Sequence, residues 1–371
     1  MPHVRFRTVS CLLALIFLLP AATLRADELP PLRWGADAEG GAPFIFKDPQ
    51  DPRRNIGFEV DLVTALEPLL GRKIVFRQYA FDGLMLGLER DDFDFAMNGL
   101  EVTPDRLARL RMSRAYYIYT LQLVVRADDT RFADLAGCKA IGGKVGTLGD
   151  TAASRLLDQE GLISKVYDGQ AEPFQDLLLG RVDAVLVDLP VADYYARPNP
   201  KLTFVSPPFA PGKYAVAFRP NQEELAQRFD AAILTLAQSG ELERIYRKWH
   251  IWNDAQAQLT GDIDIPDVIG QSGAQFTFDK YFPLLCGSAV TTIWLSVLSM
   301  LLAVAIGLLV AVARLYGPLP LRFLAVGYVE FFRGIPVLLL LYMLYYGLPS
   351  LLATWGIPWK PQDMTVAVIA F

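Results

Sequence analysis

From Leu32 to about Trp252, short apolar runs alternate with amphipathic stretches; after Tyr281 that alternation gives way to long runs without charge. In the first regime, clusters of β-branched and aromatic residues predict strands at Leu32–Ala36, Ile74–Gln78, Phe93–Met97, Leu121–Val125, Ala140–Gly142, Ala184–Val187 and Ala215–Phe218. Between them, apolar positions recur at helical spacing over Phe58–Leu70, Asp82–Glu89, Asp150–Gln159, Pro173–Leu179 and Glu223–Gln238. Such alternation reads as an α/β fold, with ligand sites beyond the carboxyl ends of the strands.

In the second regime, Tyr281 to Ala313 carries no charge, a length that crosses a bilayer. A second uncharged stretch runs from Gly334 to Trp359, and a third apolar run begins at Met364 and stops at Phe371. Spans are therefore expected at about 284–313 and 335–352, with a third begun at 364–371. Residues 254–280 lack periodicity and read as a linker.

Composition separates the two regimes further. The chain holds 40 acidic and 35 basic residues, a balance that gives no reason to expect nucleic-acid binding. Residues 1–26 place Arg5 and Arg7 before the apolar run Cys11–Leu19 and a small residue at Ala26, the pattern of a signal peptide. Arg314 and Arg322 sit in the first loop between spans, which puts that loop in the cytoplasm and the α/β part outside. The expected location is thus the cytoplasmic membrane, crossed more than once, with the α/β domain in the periplasm or outside the cell. Cys11, Cys138 and Cys286 fall in three different segments, so no disulfide framework is expected. Only His3 and His250 are present, which argues against a histidine-based metal site or triad; no cofactor is implied. The stretch Gly137–Lys144 imitates a phosphate loop but lacks the Lys-hydroxyl pair at its end, so nucleotide binding is rejected there.

The chemistry concentrates between Asp94 and Arg106. A short strand leads through Asn98-Gly99 to Thr103-Pro104, a hydroxyl N-cap followed by a proline at the first helical position. Arg106 then falls in the first turn, beside free backbone N–H groups where a helix prefers negative charge. The placement makes sense if an anion such as a carboxylate arrives between them. Pairing with Asp105 or Glu101 at the surface would explain it equally well.

Two groups of motifs resolve this choice by resemblance. Gly35-Ala36-Asp37 with Ala42-Pro43-Phe44, Gly57-Phe58-Glu59-Val60-Asp61-Leu62, Phe81-Asp82-Gly83-Leu84, Asn98 to Arg106, Gly146-Thr147, Gly180 to Ala184, Asp188 and Leu242 to Trp249 occur in an order that resembles the bacterial family 3 extracellular solute-binding proteins. Glu330-Phe331-Phe332-Arg333-Gly334-Ile335-Pro336 is similar to the segment opening a span of the polar-amino-acid permeases of ABC importers. The resemblance implies a two-lobed periplasmic-binding-protein fold of type II over residues 27–253, followed by an all-α transmembrane helical domain over 281–371. One lobe would comprise about 30–121 and 216–253, the other about 125–211.

The resemblance also assigns roles. Arg106 would hold an α-carboxylate, helped by Thr147 and the Gly146–Leu148 backbone N–H groups; Asp188 would take the α-ammonium, with Asn98 and the Gly99 carbonyl nearby. A structural alternative makes Asp188 the cap of a helix beginning near Pro190. Phe44 and Phe81 would wall the ligand's stem. Glu101 stands where relatives carry Ser or Thr, and either locks Arg106 or reads a cationic side chain. Asp37, Glu39 and Glu101 together lean towards arginine, lysine or glutamine.

The implied function is capture of a polar amino acid and delivery to a permease domain on the same chain. No Walker motif is present, so a separate cytoplasmic ABC subunit would hydrolyse ATP. The permease part would meet membrane lipid and pair as a homodimer or heterodimer, and the end at Phe371 reads as a C-terminal truncation. Alternatives are an amino-acid-sensing membrane receptor with the same clamp, or a periplasmic enzyme using Glu101 as acid or base.

Overall fold

The computed structural model describes residues 30–261, 263, 278–357, 359 and 363–370; the signal-peptide reading lies outside them. Its first strands are β1 (Leu32–Ala36), β2 (Phe46–Lys47), β3 (Asn55–Ile56), β4 (Ile74–Gln78) and β5 (Phe95–Ala96). Two long strands follow, β6 (Arg111–Arg126) and, after β7 (Lys144–Leu148), β8 (Ile163–Tyr167) and β9 (Ala184–Asp188), β10 (Leu202–Phe218). The sheet order is β4-β1-β5-β10-β6-β9-β7-β8. Parallel strands β4, β1 and β5 form the core of lobe 1, and β9, β7 and β8 that of lobe 2. The antiparallel pair β6 and β10 runs through both, giving the two-lobed architecture.

Helix α1 (Phe58–Leu70) buries Phe58, Leu62, Leu66 and Leu70, one face at a spacing of four, and ends on Gly71 in the left-handed conformation at φ 63°. The remaining helices of this part are α2 (Leu84–Glu89), α3 (Pro104–Arg109), α4 (Leu135–Ala140), α5 (Ala152–Glu160), α6 (Glu172–Leu178), α7 (Leu189–Tyr195), α8 (Glu223–Gln238) and α9 (Glu241–Lys248). On α8 the stripe Ala226, Phe229, Ile233 and Leu236 faces the sheet.

Three expectations fail. The strand expected at Ala140–Gly142 is instead the end of α4 and a turn, because Asp134 caps that helix by accepting from the Gly137 N–H at 2.7 Å. The true strand, β7, lies two residues later and covers Gly146 to Leu148. β8 pairs with it throughout and β9 at Val145 and Gly146, so Gly146-Thr147 lies within the sheet and not in a loop at a helix start. The expected linker also begins late: Asp254–Thr260 is a 3₁₀ turn whose Gln256 accepts from and donates to the Ile118 backbone, and whose Leu259 is buried. Most of the remaining linker lies outside the described residues.

Beyond the linker come α10 (Phe278–Tyr316) and α11 (Leu319–Gly334), then a helical stretch over Val337–Thr354 and a short helix at Asp363–Ala370. Within α10, Leu285–Tyr316 has a mean hydropathy of 2.7; Val337–Thr354 has 1.7. Both are long and apolar enough to cross a membrane, and both are almost wholly exposed, unlike a helix of a soluble core. The second carries a π-helical turn at Met343–Gly347, just before Pro349. A proline ring clashes with the carbonyl four residues back, here Tyr345, and the wider turn relieves that clash.

Candidate functional site

The cleft between the lobes encloses about 570 Å³ including its mouth, the size of a small-molecule site. Lobe 1 brings Asp37, Phe44, Phe81, Asn98, Gly99 and Glu101 to its wall; lobe 2 brings Thr147, Thr151, Asp168, Gln170 and Asp188. The lobes are closed on it. Gln170 N–H donates to the Gly40 carbonyl at 3.0 Å, and Ala42 N–H to the Tyr195 hydroxyl at 3.2 Å.

At one end of the cleft, Asp188 closes β9 and precedes α7 without capping it through its side chain. The structural alternative is thereby removed. Its Oδ2 accepts from the Tyr214 hydroxyl, whereas Oδ1 is buried and has no hydrogen-bond partner. Burial raises the Asp188 carboxyl above its ordinary range, the Glu101 charge raises it further, and the Tyr214 bond opposes both.

The Asn98-Gly99 turn is held from behind. Gly99 adopts φ 63°, and its N–H donates to Glu59 Oε1 at 2.7 Å and to the Tyr116 hydroxyl at 3.2 Å. Asn98 Oδ1 accepts from the Asp37 N–H at 2.6 Å. Asp37 itself is fully occupied: Oδ1 accepts from Glu39 N–H, Gly40 N–H and Gln78 Nε2, and Oδ2 from Phe81 N–H. It orders the first loop and holds the backbone of Phe81 towards the cleft. Glu39 is exposed and does not border the cleft, which corrects its assignment; Gly40 takes its place. Phe44 stands edge-on to Tyr214 with ring centroids 5.6 Å apart, forming the apolar wall.

The other end is a cluster of four charges. Thr103 caps α3 by accepting from the Arg106 N–H at 3.3 Å, as its motif predicts. Arg106 Nη1 donates to the Glu101 carbonyl at 2.9 Å and Nη2 to Asp150 Oδ2 at 3.4 Å. Glu101 reaches across to lobe 2, where Oε1 accepts from the Ala152 N–H at 2.6 Å and Oε2 from Arg155 Nη2. Ala152 opens α5, so this carboxylate sits on a helix N-terminus, the position a bound anion favours. Glu101 therefore locks the cluster and does not present its carboxylate to a ligand side chain. Thr147 borders the cleft, but its hydroxyl donates to the Leu186 carbonyl at 2.9 Å. The loop that faces Arg106 is Asp150-Thr151, where Thr151 caps α5 with Ser154 in a capping box.

Sequence reasoning missed Asp150, Thr151, Arg155, Gln170 and Tyr214. Only Thr151 carried a usable local signal, a hydroxyl before a helical pattern. The others matter through contacts across the lobes.

The model of the bacterial extracellular solute-binding proteins, family 3, matches residues 32–251. The L-arginine-binding protein of Pseudomonas aeruginosa is 30% identical over 62% of this chain and 92% of its own length. ABC transporter arginine-binding protein 1 of Escherichia coli is 28% identical over 52% and 81%. A probable histidine-binding protein of Neisseria gonorrhoeae is 29% identical over 58% and 82%. Among solved structures, an ancestral arginine-binding protein bound to glutamine superposes with a TM-score of 0.55 at 30% identity, covering 60% of this chain and 98% of that one.

Proposed function

The chain belongs to family 3 of the bacterial extracellular solute-binding proteins, and on that premise we propose that it captures a positively charged amino acid or a close derivative in the closed cleft and passes it to membrane helices on the same chain. The observation that carries this reading is Asp188, whose buried Oδ1 lacks a partner inside the cleft. A buried carboxylate oxygen without a donor is costly, and an ammonium or guanidinium group would satisfy it. Asn98 and the Gly99 carbonyl would complete that end. Phe44 and Phe81 would cover the ligand's apolar stem, with Thr147 as side wall. Arg106 and the first turn of α5 lie behind Glu101, which with Asp150 engages their donors. Arginine- and histidine-binding relatives agree with a cationic solute.

Two apolar helical segments following the clamp support the delivery step, with the cleft outside the cytoplasmic membrane and Arg314 and Arg322 inside. Transport would draw ATP from a separate cytoplasmic subunit, and the helices would pair with a second permease subunit. A thermal-shift screen of residues 27–261 against the twenty amino acids and their decarboxylated amines tests capture, because a ligand that binds the native state raises its apparent stability. Basic members should raise it most. No shift with any of them sinks the reading.

A further inference from the structure

We infer that Glu101 is a built-in substitute for a ligand carboxylate, so that the cleft selects a small amine or guanidine cation whose own carboxylate is missing or masked. The inference rests on the capture reading above and names its ligand class. The best seat for an anion in the cleft, the N-terminus of α5 beside Arg155, is taken by Glu101 from lobe 1, with 3% of its side chain exposed. Arg106, the second cation of that end, donates to the Glu101 carbonyl and to Asp150, and does not border the cleft. Each lobe thus supplies a carboxylate to the other lobe's arginine.

The lining of the cleft is acidic, and the buried acid in it with an oxygen still lacking a hydrogen-bond partner is Asp188. Among the described residues, the ionisable groups lining the cleft are Asp37, Glu101, Asp168 and Asp188, with no Lys, Arg or His. The buried side-chain oxygens there without a hydrogen-bond partner are Asp188 Oδ1 and Gln170 Oε1, both acceptors. Cationic donors fit these groups, whereas a free carboxylate would lie among like charges in a site of low dielectric. A ligand carboxylate that reaches for Arg106 has to displace Asp150, 61% exposed and 3.4 Å away.

The test compares each basic amino acid with its decarboxylated amine by titration calorimetry on residues 27–261. The match of that segment spans 98% of the solved ancestral arginine-binding protein and 92% of the Pseudomonas aeruginosa L-arginine-binding protein, so it corresponds to a unit that occurs without the helical part. Agmatine is expected to bind at least as tightly as arginine, and cadaverine at least as tightly as lysine. Glu101→Ser should shift each ratio towards the amino acid by about tenfold or more, by vacating the anion seat. Tighter binding of arginine and lysine by the wild type overturns the inference and leaves the capture reading standing. So does binding of a neutral amino acid with both cations rejected. If neither cation nor any amino acid binds, both readings fall.

Discussion

The buried Tyr214 hydroxyl donates to Asp188 Oδ2 and leaves Asp188 Oδ1 buried without a partner. Tyr214 is itself fully buried, on β10, and stacks on Tyr119 with centroids 4.7 Å apart. One oxygen of the carboxylate is therefore fixed while the other points to whatever enters. Asp188→Asn should weaken binding of the cationic ligand by about 2 kcal/mol or more, roughly thirtyfold, because a charge-assisted bond becomes a neutral one. Tyr214→Phe should cost less, since it removes only the orienting bond. Calorimetry on the two variants checks the order; an unchanged Asp188→Asn removes this residue from the site.

The same pair sets a pH dependence. Burial raises the Asp188 carboxyl, so part of the empty protein carries the proton near neutral pH. A cation binds the ionised form, and binding must then release a proton. Affinity should rise with pH until Asp188 is ionised in the free protein, and level off above that. Calorimetry in buffers of different ionisation enthalpy reads the released proton directly. Affinity that falls over this range contradicts the assignment.

Some of this site was legible and some was not, for physical reasons. The Thr103-Pro104 start was readable because a cap and a first-turn proline are local, and the structure shows the Thr103 bond to Arg106 N–H. Helix α1 was readable to the residue because its apolar stripe is unbroken and Gly71 ends it. Gly146-Thr147 misled because the next small-residue turn, Gly149-Asp150-Thr151, offers a similar local pattern. Pairing with β8 and β9 decides between them, and no local signal reports pairing. The length of β6 was hidden for another reason. Tyr116 and Tyr117 are both buried, so the strand shows no alternation. Arg155 looked like an ordinary polar helix residue; its partner Glu101 lies in the other lobe.

Gly99 is a cleft-wall position where an added methyl group should do local damage. Its φ of 63° strains any other residue, and an added Cβ would lie 2.5 Å from the Phe44 ring. Gly99→Ala should destabilise the domain by about 1–3 kcal/mol and push Phe44 off its wall position. Denaturant unfolding gives the first effect, and weakened ligand binding the second. A variant as stable as wild type with unchanged affinity shows that the turn tolerates the shift.

Glu59 lies behind that turn, 0% exposed, and burial pushes its carboxyl up to about 7 against the lowering effect of its bonds from Tyr116 and Gly99. In the unfolded chain the group has an ordinary pKa of 4.5. Below that value both states hold the proton, and Glu59 imposes no penalty. As pH rises through the interval up to about 7, the unfolded chain loses the proton first, so stability falls; above it the loss is complete. The shift corresponds to roughly 3 kcal/mol. Glu59→Gln keeps an oxygen to accept from Gly99 N–H and Tyr116 while removing the titration. Its stability between those two pH values should be flat where that of the wild type declines, as read by denaturant midpoints at matched ionic strength. Parallel declines in both proteins would place the pH dependence elsewhere in the fold.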